Sequence, residues 1–232
     1  MVKYPMDHVL DNPAWSALTS GNKHLANGSG QALYFDKEVS PFAALEENTP
    51  ANFQHLYQLI GHNDPVIFIS PEEIAIPPPW TVLRSVHGLQ MIYNNAIGLD
   101  DVKCEMVPLT TQHVPQMLEL TKLTNPGPFA SRTIDFGHYV GFFEGGKLVA
   151  MAGQRLHAFQ YCEISAVCTH PDHTGKGYAR QLLQYHVNRI LKENSVPFLH
   201  VRNDNARAIK IYEDLGFSVR KDIWFYVLKK TI

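Results

Sequence analysis

The chain has 232 residues, 45% of them hydrophobic and 18% charged, which is enough apolar material for a sizeable core and excludes disordered, collagenous and low-complexity classes. Lys and Arg number 20 against 22 Asp and Glu, a formal charge of -2, so no basic excess points to nucleic acid or an anionic membrane as a partner. Met1 to Pro13 holds no apolar stretch long enough for a secretion signal, no window approaches the ~18 apolar residues of a membrane span, and the expected setting is the cytoplasm.

Residues 1–102 read as an irregular α+β domain, broken at Asn12-Pro13, Asn27-Gly28-Ser29-Gly30, Ser40-Pro41, Asn63-Asp64-Pro65 and Pro77-Pro78-Pro79. Between the breaks the patterning predicts a helix over Pro50 to Ile60, a strand over Val66 to Ser70 and an apolar segment from Trp80 to Tyr93. No site signature falls in this part.

Residues 103–232 are periodic. An extended Cys104 to Leu109 leads to a helix over Thr111 to Leu123 and a break at Pro126-Gly127-Pro128. Strands over His138 to Glu144 and Lys147 to His157 flank Gly145-Gly146, a hairpin turn because glycine tolerates positive φ. A strand over Tyr161 to Thr169 is followed by a helix from about Gly177 to Glu193, a strand over Pro197 to Val201, a helix over Asn205 to Leu215 closed by Gly216, and a final pair of strands over Phe217 to Lys229. Cys104, Cys162 and Cys168 form no C-x-x-C pair, and reduced, buried thiols are expected.

The chemistry concentrates where the strand ending in Val167-Cys168-Thr169 runs through His170-Pro171 into Thr174-Gly175-Lys176-Gly177-Tyr178-Ala179-Arg180 and a helix. Unpaired N–H groups at a helix start form an anion cradle, and glycines let phosphate approach them; a helix entrance that simply requires glycine fits the bare pattern equally well. Gly141 to Lys147 only superficially matches a P-loop, since Leu148 replaces the required hydroxyl, and Arg180 occupies the third glycine position of a dinucleotide fingerprint. No Cys/His cluster suggests a metal.

Ser165 to Pro171, Gly175 to Ala179, Leu199 to Ala208 and Ile211-Tyr212-Glu213-Asp214-Leu215-Gly216-Phe217 together resemble the GNAT acetyltransferase family, especially the C-terminal half of glycine N-acyltransferases. The resemblance implies an α/β (α+β) fold: a mixed, mostly antiparallel sheet flanked by helices over 103–232, with the packed domain over 1–102 a degenerate relative of it. It also implies acetyl-CoA as acyl donor, no metal, and an amine acceptor on a small molecule or amino acid, with a protein amine or an aminoglycoside-like amine left open. The pyrophosphate would rest on the amides of Gly175, Gly177, Tyr178 and Ala179 and the pantetheine arm beside Val167, Cys168 and Thr169, where a backbone N–H freed by a bulge stabilises the oxyanion. Thr174 departs from the family's Arg or Gln, a lost phosphate contact that Lys176 and Arg180 are placed to compensate; the departure also keeps open a non-catalytic CoA-binding module.

Tyr212 shares a helix face with Ala208 and Leu215, as a core tyrosine would; by resemblance its phenol protonates the leaving thiolate. Asn205 caps a helix or contacts the pantetheine arm, and the two roles are compatible. Glu163, on the strand before the bulge, is the candidate base for the amine, with partial burial raising its pKa toward a useful range; a strand carboxylate facing solvent or an Arg is the plain alternative.

Overall fold

The structure, a computed structural model, describes residues 8–61, 63–95, 98–100 and 105–231. Three helices begin where the sequence supplies a side-chain cap. Asn12, Thr49 and Asn205 accept hydrogen bonds from the backbone N–H of Trp15, Asn52 and Ala208, and Pro13 and Pro50 occupy first-turn positions where the missing N–H costs nothing. The first segment contributes α1 (Pro13–Thr19), β1 (Ala26–Ser29), β2 (Ala32–Phe35), β3 (Phe42–Leu45), α2 (Pro50–Leu59), β4 (Val66–Ser70) and β5 (Trp80–Tyr93). The second contributes β6 (Val107–Pro108), α3 (Val114–Thr124), β7 (Val140–Glu144), β8 (Lys147–Ala158), β9 (Tyr161–Thr169), α4 (Tyr178–Lys192), β10 (Val196–Arg202), α5 (Ala206–Asp214) and β11 (Phe217–Lys230). Cys104 lies outside the described residues; Cys162 and Cys168 are free and buried.

The strands form one mixed sheet in the order β1-β2-β3-β4-β11-β5-β10-β9-β8-β7-β6. The two segments interleave in it, because β11 lies between β4 and β5 and pairs antiparallel with both. Where the sequence predicts a final pair of strands, a single strand forms. Bulges between Val219 and Lys221 and between Val227 and Leu228 absorb the irregular residues while the ladder continues from Phe217↔Tyr93 to Lys230↔Trp80. At the first bulge the Arg220 guanidinium swings inward to Gln90 Oε1 at 2.9 Å and Asp11 Oδ1 at 2.5 Å.

Helix α4 buries Leu182, Leu183, Val187 and Ile190 completely, the i, i+4, i+7 stripe that drives an amphipathic helix onto a sheet. The Gly145-Gly146 turn has φ of +56° and +77°, so both residues occupy the region glycine favours, and the predicted hairpin forms between β7 and β8.

Candidate functional site: a cleft where two parallel strands part

β10 pairs with β9 only over Val196–Phe198 against Tyr161–Glu163. Beyond that point β9 carries an extra residue. Met151 opposes Cys168 and Gly153 opposes Ser165, so three steps on β9 match two on β8, and Ala166 sits at φ +53°. A left-handed alanine costs about 1–2 kcal/mol, which the surrounding ladder must sustain. The kink parts β9 from β10 and opens a cleft of about 960 Å³.

Val167, Cys168 and Thr169 line the cleft from β9, Asn205 and Tyr212 from α5, and Thr174 and Ala179 from the glycine loop and the helix it opens. The sequence-predicted cofactor strand and tyrosine thus line one cavity with Thr174 and Ala179 on either side of the glycine loop, whereas Gly175, Lys176, Gly177, Tyr178 and Arg180 are not among its lining residues. Thr169 Oγ1 is buried with no hydrogen-bond partner among the described residues. A buried hydroxyl without a partner is costly, and one in the cleft wall fits a polar ligand such as the amides of a pantetheine arm. The Tyr212 phenol makes no hydrogen bond to another described residue, and burial pushes its pKa up to about 12, so it holds its proton at neutral pH. Burial likewise lifts Cys168 to about 12, which makes it a wall residue and not a nucleophile. Asn205 caps α5 and lines the cleft as well.

The loop is built by two glycines. Gly175 and Gly177 have φ of +82° and +81°, and Gly177 is the N-cap of α4 without a side-chain cap, which leaves the first-turn N–H groups without intrahelical acceptors. A Cβ on Gly175 would meet nothing within 4 Å. Space therefore does not dictate glycine here; the backbone conformation does. Lys176 is engaged elsewhere, its Nζ 2.8 Å from Glu144 Oε1, and the Tyr178 hydroxyl bonds the same carboxylate while its ring stacks on Phe142. These bonds, Lys176 first, then Tyr178 and His173, hold Glu144 down at about 2. Arg180 is exposed in the first turn of α4, and the Thr174 hydroxyl is spent on Pro171 O at 3.0 Å.

Glu163 departs from expectation. It is 0% exposed, and the Arg155 guanidinium bonds both its oxygens at 2.5 and 2.9 Å while His200 Nδ1 lies 2.7 Å from Oε1 and Leu156 N–H 3.2 Å from Oε2. Burial alone would raise its pKa; Arg155 and then His200 overcome that and hold the carboxyl well below the usual range. Its lone pairs are already taken, so it is the anion of an ion pair, not a free base. Gln90 Nε2 donates to Leu10 O and faces His200 Nε2 at 3.0 Å, which makes that nitrogen the acceptor and Nδ1–H the donor to Glu163.

Arg155, His200 and Gln90 went unread in the sequence. The available signal was a charged residue inside each of two adjacent apolar strands, Arg155 in β8 and Glu163 in β9, which demands a partner when buried. No group of three or more potential metal ligands occurs among the described residues, and no helix among them is long and apolar enough to cross a membrane.

Comparison with known proteins adds an independent line. Residues 139–225 match the family model described as FR47-like protein. A solved structure from Novosphingobium aromaticivorans, described as an acetyltransferase of the GNAT family, is 34% identical, with a TM-score of 0.89 over 97% of this chain and 100% of that one. The N-alpha-acetyltransferase RimI of Mycobacterium tuberculosis is 36% identical over 84 residues, 34% of this chain; this chain spans about half of that relative, 51% of its length. The ribosomal protein bS18-alanine N-acetyltransferase of Escherichia coli K12 is 26% identical over 116 residues, covering 47% of this chain and 78% of that protein.

Proposed function

We propose, because this chain belongs to the GNAT family of acetyltransferases, that it moves an acetyl group from acetyl-CoA directly to the primary amine of a small molecule or amino acid within one ternary complex. The observation that carries the proposal is the unpartnered Thr169 hydroxyl in the wall of the cleft that the Ala166 bulge opens, with the Tyr212 phenol lining the same space. The small acceptor rests on the resemblance of the sequence motifs to glycine N-acyltransferases, and a protein amine, as in the name of the Escherichia coli relative, is the competing acceptor.

Acetyl-CoA supplies an activated carbonyl on a thiol leaving group. The N–H groups at the start of α4 bind its pyrophosphate, with Arg180 the adjacent free cation. Val167, Cys168 and Thr169 guide the pantetheine arm from one side and Asn205 from the other. A backbone N–H released at the bulge donates to the carbonyl oxygen as charge builds there. The amine nitrogen bonds the acetyl carbon, the carbon–sulfur bond breaks, Tyr212 gives its proton to the departing sulfur, and the proton lost by the nitrogen passes by way of solvent to the phenolate and restores the phenol. Glu163 takes no proton; it anchors Arg155 and His200 at the point where the strands part. A cytoplasmic setting, where acyl-CoA and free thiols coexist, belongs to the same reading.

The test is thiol release from acetyl-CoA and longer acyl-CoAs across a panel of small amines, amino acids and peptides. Turnover with at least one small acceptor is expected. Release with peptides alone would replace the acceptor assignment, and release with no pair, while CoA binds, would replace catalysis by ligand binding.

A further inference from the structure

Four arginines and no carboxylate line the cleft among the described residues. Two of them are already neutralised, Arg155 by Glu163 and Arg202 by Asp204. Arg207 stands in the first turn of α5, the helix that carries Tyr212. Arg84 belongs to another surface, the sheet itself.

Strand register places it. Phe42 pairs with Ile67, Ile67 with Val227 and Val227 with Arg84, a row running across β3, β4, β11 and β5 on one face. Phe225 and Val86 form the next row on that face. All six residues line the cleft. β10 ends at Arg202, opposite Gly88, so among the described residues β5 has no strand partner on that side as far along as Arg84. The result is an apolar floor that ends in an exposed guanidinium with no carboxylate partner among the described residues.

We infer that the acceptor is an amine that carries a carboxylate and an apolar body: Arg84 takes the carboxylate, and Phe42, Ile67, Val86, Phe225 and Val227 take the body. This rests on the acyltransferase reading given above. A guanidinium presents paired donors in the plane that a carboxylate accepts, which fixes orientation as well as charge. The same lining rejects polyamines and other polycations, which would bring further positive charge into a cleft with no free anion to meet it.

The test assays the full chain with acetyl-CoA against L-leucine, L-phenylalanine, their amides, 3-methylbutylamine, spermidine and the tripeptide amide Ala-Leu-Ala-NH2. In parallel, N-acetyl-L-leucine and its amide are titrated calorimetrically into CoA-saturated protein. The expected result is a kcat/KM for each amino acid roughly tenfold or more above that for its amide, spermidine poorest of all, and N-acetyl-L-leucine bound roughly tenfold or more tighter than its amide. Arg84→Ala, with folding checked by melting temperature, should collapse both ratios toward one. Amides, spermidine or the tripeptide preferred, or ratios unmoved by Arg84→Ala, would overturn the carboxylate assignment and leave acyl transfer standing. No thiol release with any acceptor would overturn the acyltransferase reading instead, and the calorimetric ratio then decides the carboxylate site alone.

Discussion

Arg155 and Glu163 meet across the β8–β9 ladder, Nη2 to Oε1 at 2.5 Å, at the last residue through which β9 pairs with β10. Here β8 has its own extra residue: Gln154 opposes Ile164 and His157 opposes Cys162, so the register shift falls on Arg155 and Leu156. The pair lies at the vertex of the cleft and holds the place from which the strands diverge.

Glu163→Gln leaves the buried guanidinium without its anion, a change expected to cost about 3–5 kcal/mol. A carboxyl in the unfolded chain titrates near about 4.3, and in the fold Glu163 lies well below that. Its contribution is therefore complete above about pH 4.3 and is lost as pH falls below it. Melting temperatures from pH 3 to 8 should show wild type and Glu163→Gln far apart at neutral pH and converging in acid. The rate per folded molecule should keep the acid limb of its pH profile; disappearance of that limb in the variant would restore Glu163 as a base.

The glycine loop is tested by separating conformation from space. Gly177 is at φ +81°, and a Cβ there would have only Gln181 Nε2 nearby, at 3.8 Å. Asn tolerates left-handed backbone far better than Val. If phosphate must approach the Gly177 backbone, both Gly177→Asn and Gly177→Val lose CoA affinity by roughly tenfold or more while remaining folded. Native affinity in Gly177→Asn would mean that the glycine serves the turn alone.

The fragment 103–232 should not fold by itself. Its β11 would lose both neighbours, β4 and β5, and expose Ile223 and Leu228, which are fully buried in the whole chain. Far-ultraviolet circular dichroism and a thermal melt of the fragment check this; a cooperative transition at the full chain's temperature would make the segments independent.

Much of this was legible in the residues. β4 falls on Val66–Ser70 as read, and α2, α4 and α5 begin within a residue of their predicted starts because Thr49, Gly177 and Asn205 mark them. The family motifs located the strand and tyrosine that share the cleft, and Thr174 and Ala179 beside the glycine loop. What stayed hidden was non-local. The resemblance implies a bulge in this strand, but nothing in the sequence marks Ala166 as the residue at positive φ, since that position is set by register against β8. Gln90, 110 residues from His200 in sequence, meets it only because β5 pairs with β10. Arg84 looks like any exposed strand arginine until β3, β4 and β11 line up beside it. For Glu163 the plain alternative, a carboxylate facing an Arg, is the arrangement that forms, and that Arg155 is the partner depends on the β8–β9 register.

The most direct measurement of the central claim is the turnover of Tyr212→Phe, normalised to folded protein. The phenol has no protein hydrogen bond to lose among the described residues, so the variant should melt close to wild type and bind acetyl-CoA with nearly the same affinity. Its kcat should fall roughly 10²-fold, the scale of one general-acid contribution. A Phe variant that turns over at the wild-type rate would contradict the account and leave Tyr212 as a packing residue beside Phe217.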